Sequence, residues 1–268
     1  TAHYVSPTVW AWREYRLNGI KRACDLMLTL FPFEEQYYQN KNIPVTFVGH
    51  PLASEIAVPS EKKSMRIDLQ AEDKLLIALL PGSRRSEVRR LGELFFSFIE
   101  IAHKRYPDIV FVMPVANESV DTELKEMLGK YNDLPIFFID GGKARDLLAC
   151  ADLAVLASGT AALEAALVST PMIVAYKVSW LTYFIARLTA HVQHVSMPNH
   201  LMTEPLVPEL LQGDANLNNL LSTAIPYIED SELRDRQSNA LSTIAPSLRR
   251  NSGELAAQAL SKLAENGG

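Results

Sequence analysis

Two short runs, Leu80-Pro81-Gly82-Ser83-Arg84 and Ala157-Ser158-Gly159-Thr160-Ala161-Ala162-Leu163-Glu164, carry the residue types and spacing with which this chain could do chemistry. Each follows an apolar, strand-like stretch and opens a helix-like one. Each therefore aims a helix N-terminus and the amides of small residues at one edge of a sheet, an arrangement that holds anions. Arg84 adds a fixed, planar positive fork to the first run. Glu164, about one helical turn into the second, can accept hydrogen bonds from two adjacent hydroxyls. An anion site beside a diol acceptor is the pattern that meets a nucleotide, most simply a nucleotide sugar.

Each run also has a plainer reading. Pro and Gly are common β-to-α turn residues, and Glu164 could be a solvated or dipole-complementing charge in a first helical turn. Arginines at a helix N-terminus oppose the macrodipole, so Arg84 and Arg85 ask for an anionic partner. Arg89 and Arg90 are read as solvated, with Glu87 as a nearby counter-charge. Farther on, Asn199 lies in the loop-like Val195-Ser196-Met197-Pro198-Asn199-His200-Leu201, where it either donates and accepts toward a sugar or phosphate or forms an Asx turn. Glu209 and Gln212, three apart in VPELLQ, are placed on one helical face, either solvated or facing a ligand.

The elements that must position these groups follow from periodicity. Apolar, β-rich runs at 75–80, 109–114, 135–139, 153–157 and 172–176 alternate with helical stretches, which specifies a parallel sheet covered on both faces. Within 93–106, Leu94, Phe95, Phe98, Ile99 and Ala102 form one apolar stripe facing that sheet. Three more strands are expected at 2–5, 26–29 and 45–48, separated by helices over 11–23 and 32–41, as part of a second sheet. A polar crossing over 57–73 contains a short helix near 60–69, and three helices close the chain over 216–229, 231–244 and 253–265. The fold class expected is α/β, one complete Rossmann-like lobe plus the C-terminal part of another. Residues 1–57 form the partial lobe, 58–229 the complete one, and 230–268 the helices packing back on them.

Composition bounds the chemistry further. The 268 residues are 48% hydrophobic and 21% charged, with a net charge of −5, which argues against a general nucleic-acid binder. The two cysteines, Cys24 and Cys150, have neither metal-ligand nor disulfide-framework spacing and are read as core fillers. No Asp-x-Asp triplet offers a divalent metal to a diphosphate, and GxxxxGK[ST], GxGxxG and GxSxG are absent. Neither a metal nor a cofactor is expected. The start, Thr1-Ala2-His3-Tyr4-Val5, has no signal-peptide pattern, so the reading is cytoplasmic, and the opening directly in a strand suggests that upstream sequence is missing. Trp180 to Leu188 (WLTYFIARL) is apolar nearly all round and too short to span a bilayer, so it is either a buried helix or one lying on a membrane or acyl chain.

In order along the chain, SPTVWAW, PFE, FVGHPLA, LLPGSRRSEV, PVAN, LASGTAALEAALVSTPMIVAY, MPNHL and VPELLQ resemble the lipid-A-disaccharide synthases. The resemblance runs from Tyr4 to about Gln212, with much of the N-terminal lobe of that family lacking. It implies an inverting, metal-independent glycosyltransferase of the two-lobed GT-B type, joining UDP-2,3-diacylglucosamine to 2,3-diacylglucosamine 1-phosphate on the cytoplasmic membrane face. Separately, exposed strand edges can drive pairing of chains, so a homodimer is an expected assembly. By the same resemblance, Gly82, Ser83 and Arg84 would contact the diphosphate, Ser158, Gly159, Thr160 and Ala161 would present a helix N-terminus to it, and Glu164 would hold the ribose. Arg84 would stabilise the leaving group as the catalytic contribution. Asn199, Glu209 and Gln212 would lie near the donor, Asn117 would contact donor or acceptor, and Ser6, Trp10 and Trp12 would lie on the acceptor side. No general base is assignable, so the fragment alone is expected to be inactive. The alternatives are another GT-B enzyme using UDP-N-acetylglucosamine, such as a 2-epimerase, and a non-catalytic UDP-binding module.

Overall fold

The computed structural model describes the chain except for residues 56–61, 132, 181–182, 185–193 and 267–268. It divides into two compact units, the first combining Thr1–Ala57 and Ile244–Gly268 with Trp180–Gln193, the second combining Val58–Ser179 with His194–Thr243.

The second unit is built on six parallel strands, β4 (Leu76–Leu80), β5 (Val110–Val115), β6 (Ile136–Asp140), β7 (Leu153–Ala157), β8 (Met172–Tyr176) and β9 (Glu209–Leu211). Their order is β6-β5-β4-β7-β8-β9. The chain thus winds outward from β4 in one direction and from β7 in the other, and the reversal between these neighbours is the switch point of a doubly wound sheet. Ile77 pairs with Leu153 and Leu80 with Leu156, so the two strands end side by side. Both are buried along their whole length, as parallel strands covered on both faces must be. Helix α5 (Arg85–Arg105) follows β4 and buries Phe95, Phe96, Phe98 and Ile99 completely. At about 1.5–3 kcal/mol for each such side chain, this stripe is a main anchor of the helix.

Five further helices complete this frame: α4 (Lys62–Asp68), α6 (Glu118–Leu128), α7 (Ala144–Cys150), α8 (Thr160–Leu167) and the short α9 (Met197–Leu201). After β9 come α10 (Leu217–Glu229) and α11 (Ser231–Leu241). Buried Gln237 of α11 accepts from Met172 N at 2.6 Å and donates to Leu206 O, which fastens that helix to β8. The single helix expected over 231–244 ends at Leu241, and a separate turn, α12 (Ile244–Leu248), belongs to the first unit with α3 (Pro51–Glu55) and α13 (Ser252–Asn266).

The first unit holds three parallel strands, β1 (Ala2–Tyr4), β2 (Leu26–Thr29) and β3 (Val45–Phe47), in that order. The helix expected over 11–23 is shorter: a 3₁₀ turn at Glu14–Arg16 leads into α1 (Leu17–Ala23), because Arg13 sits at φ 57° and breaks the α geometry. Helix α2 (Pro32–Gln39) starts with Pro at its first position and carries Glu34, a carboxylate that is 3% exposed. Leu30 N and Phe31 N donate to Glu34 Oε2, and Trp10 Nε1 to Oε1 at 3.2 Å. Burial outweighs these bonds and pushes its carboxyl up to about 7. Cys150 is buried, its thiol donating to Leu147 O, and Cys24 is half-buried. Most of the apolar run 180–188 lies outside the described residues, and among the described ones no helix is long and apolar enough to cross a membrane.

Candidate nucleotide-diphosphate site

A cavity of about 440 Å³ opens at the ends of β4 and β7, where an open α/β sheet places its ligands. Gly82, Ser83 and Arg84 line one side, Ser158, Gly159, Thr160, Ala161 and Glu164 the other. All eight residues expected to bind the nucleotide therefore meet in one depression. A third wall of small and apolar groups, Pro114, Ala116, Gly141 and Ala144, comes from the ends of β5 and β6. The sequence reading missed it. Its one local signal was the Gly141-Gly142 pair, where a Cβ on Gly141 would lie 2.6 Å from Val115 O.

The two helix N-termini at the cavity are in different states. Helix α8 begins after Gly159, at φ 152° and ψ −153°, and no side chain caps it. A Cβ at Gly159 would meet nothing within 4 Å, and Ser158 to Ala161 all line the cavity. The Ser158 hydroxyl donates to Val195 O at 2.9 Å, tying the α8 start to the segment before α9. Glu164 is half-buried one turn into α8, with Arg145 Nη2 at 3.9 Å. Burial raises its carboxyl above the ordinary value, and the Arg145 charge acts in the opposite direction.

Helix α5 instead closes on its own residue. Ser83 N and Arg84 N donate to Glu87 Oε2 at 3.1 and 3.3 Å, and Arg84 Nη1 reaches Oε1 at 3.3 Å. The anionic partner that these arginines ask for is thus supplied in part from within the chain. Arg85 and Arg89 both bind buried Glu123, with Nε to carboxylate distances of 2.6 and 2.9 Å. Those bonds hold the Glu123 carboxyl below the ordinary value. The expectation of a solvated Arg89 beside Glu87 is therefore corrected: its partner is Glu123, while Arg90 bonds to Ser86 O and Glu87 serves Arg84. Asn117 stands behind this loop, donating to Ser83 O at 3.0 Å and accepting from Val120 N to cap α6.

Three residues expected near the donor are bonded within the chain. Asn199 lies in α9 rather than a loop, is buried, and bonds Val207 through both its amide nitrogen and its oxygen. Glu209 and Gln212 share no helical face: residues 209–211 form β9, and Gln212 turns the chain at φ 51°. Pairing with β8 overrides the helical spacing of that run. The Glu209 carboxylate accepts from Val195 N, Ser196 N, Ser196 Oγ and Asn199 Nδ2, all within 2.9 Å, while Gln212 bonds both polar groups of the Val178 backbone. Ser6 and Trp10 belong to the first unit, Ser6 paired with Tyr38 Oη at 2.9 Å and Trp10 with Glu34. Among the described residues no group of three or more His, Cys, Asp or Glu side chains could hold a metal ion.

A family profile described as lipid-A-disaccharide synthetase matches residues 1–263. The chain belongs to that family. The lipid-A-disaccharide synthase of Pseudomonas fluorescens is 43% identical over 260 residues, covering 97% of this chain and 68% of the relative. That of Hahella chejuensis is 44% identical over 272 residues, covering 100% and 67%. The chain thus spans about two thirds of the length of these synthetase-family relatives. Among solved structures, the UDP-GlcNAc 2-epimerase of Neisseria meningitidis bound to UDP-GlcNAc aligns with a TM-score of 0.65 at 15% identity, over 94% of this chain and 68% of that one. The S. aureus MnaA–UDP co-structure aligns with a TM-score of 0.57 at 16% identity, over 85% of this chain and 57% of that one. These likenesses show the fold, which is that of the GT-B glycosyltransferases and epimerases. Membership of the synthetase family makes this a glycosyltransferase chain.

Proposed function

We propose that the six-stranded unit is the donor-binding part of an inverting glycosyltransferase that joins UDP-2,3-diacylglucosamine to 2,3-diacylglucosamine 1-phosphate, releasing UDP and the β-1,6-linked disaccharide 1-phosphate. The observation that carries this is the convergence, at the switch point, of an uncapped α8 N-terminus, the Arg84 guanidinium and the Glu164 carboxylate around one cavity. In this assignment Glu164 accepts from the ribose hydroxyls, the diphosphate lies between the α8 amides and Arg84, and the base faces the small-residue wall of Pro114, Ala116, Gly141 and Ala144. Negative charge develops on the departing UDP, where Arg84 and the α8 amides stabilise it. Acyl chains on both substrates place the reaction at the inner face of the cytoplasmic membrane, and a homodimer is the assembly to test for.

The test is calorimetric titration of the chain with UDP, with and without magnesium, repeated on Glu164→Ala. Binding that ignores magnesium and is lost in the variant is expected. A folded chain that does not bind UDP would sink the assignment. No residue of the cavity is assigned as general base, so this chain by itself is expected to bind nucleotide without turning it over. Structural likeness to UDP-GlcNAc 2-epimerases favours a second reading, epimerisation of UDP-N-acetylglucosamine. Formation of UDP-N-acetylmannosamine by the chain would establish it.

A further inference from the structure

Glu87 takes up the groups that the diphosphate is assigned to use. Its carboxylate accepts the Ser83 and Arg84 amides and pairs with the Arg84 guanidinium, whose side chain is 80% exposed. Gly82, at φ 127°, is what lets the carboxylate sit there: a Cβ at this position would lie 2.5 Å from both Glu87 Cβ and Oε2. Glu87 also lines the cavity itself, so its charge faces the volume that a second anion would enter. A helix cap alone would satisfy the two amides; it does not need the added contact from its carboxylate to a guanidinium on the cavity wall.

We propose that Glu87 is an internal counter-anion of the donor site, a positioning residue that holds Arg84 at the cavity wall when the site is empty and yields it to the diphosphate of a nucleoside diphosphate. This rests on the diphosphate reading above. The exchange sets a cost on diphosphate entry alone. A ligand anchored only by its base and ribose leaves the Glu87–Arg84 pair in place, whereas a diphosphate must compete with it. The same exchange lets Arg84 return to a partner within the chain as UDP leaves.

The deciding measurement is the ratio of UDP to uridine affinity in the wild-type chain, Glu87→Gln and Glu87→Ala, with Glu232→Gln, an exposed position on α11, as a control for net charge. Gln keeps an oxygen for the two amides and removes the charge. Ala supplies a second route should Gln disturb the loop. The expected result is UDP affinity raised about three- to fivefold in both, the scale of one exposed ion pair, with uridine affinity unchanged. The gain is expected to disappear when Arg84→Ala is added, since the competition is for that side chain. An unchanged or lowered ratio with only a loss of thermal stability would leave Glu87 as a helix cap and overturn the proposal. So would a gain that persists without Arg84, or one shared by Glu232→Gln. Failure of the wild-type chain to bind either ligand would instead overturn the nucleotide site itself.

Discussion

The α5 and α8 N-termini stand on either side of one cavity, each after a fully buried parallel strand and each opened by a glycine at positive φ. Yet the space beyond Gly82 is filled by Glu87, and that beyond Gly159 is empty. The same strand-turn-helix device can therefore be finished in two ways. A glutamate in the first turn folds back and satisfies the amides, while a helix starting Thr-Ala-Ala has nothing to fold back and leaves them for a ligand. The difference assigns labour: α8 offers backbone donors and Glu164, and α5 offers a charged side chain, Arg84, held by its neighbour.

The largest expected effect separates the two glycines. Gly82→Ala adds a Cβ that collides with Glu87 in a conformation that L side chains rarely adopt, and is expected to cost about 3 kcal/mol of stability. Gly159→Ala bears a similar backbone strain with open space around it, and is expected to cost about 1 kcal/mol. Urea unfolding of the two variants measures the contrast, and equal losses would show that backbone strain alone, and not the filled space beside Gly82, sets the cost. Next in size, Arg84→Ala is expected to weaken UDP by about 2 kcal/mol and leave uridine untouched, as suits a charge-assisted contact confined to the phosphates. An equal loss for uridine would move Arg84 away from the diphosphate.

The strands and both glycine turns were legible in the sequence because each is a local feature: an unbroken apolar run, then turn residues, then an apolar stripe at helical spacing. β7 and β8 fall at the expected residues, and the stripe Leu94 to Ala102 faces the core as read. What escaped is the pairing that tertiary structure decides. Glu87 stands three residues after the helix cap, a visible capping pattern, but whether its carboxylate or a ligand takes the amides depends on space that only the fold defines. Glu123 is distant in sequence from Arg85 and Arg89, and nothing local announces it. VPELLQ has helical spacing, and only the free edge of β8 makes it a strand.

The segment before α9 sharpens the comparison from the α8 side. Glu209 gathers four donors from Val195, Ser196 and Asn199, and Val195 O in turn receives the Ser158 hydroxyl. In Glu209→Gln an amide nitrogen faces donors, so the segment loosens and the α8 start loses its tether. UDP affinity is expected to fall by about 1 kcal/mol, with faster amide exchange at 194–199. If the exchange rises while UDP affinity holds, Ser158 does not need that tether.

The smallest expected effect is a pH dependence confined to the α8 side. Burial raises the Glu164 carboxyl above its ordinary 4.5, so on acidification it takes up a proton earlier than an exposed glutamate does. As an acid it loses acceptor capacity toward the ribose hydroxyls, and uridine, which carries no titrating phosphate, should bind less tightly by about 1 kcal/mol. The decline begins above 4.5 and is absent in Glu164→Gln. The sign for folding is opposite: a carboxyl whose folded pKa is raised contributes stability that is full below its unfolded pKa and is lost as pH rises through the folded one. Acidification therefore favours the fold at Glu164 while it weakens the ligand there. A fall in uridine affinity that tracks unfolding would belong to other groups, and a flat affinity across that range would remove Glu164 from the ribose.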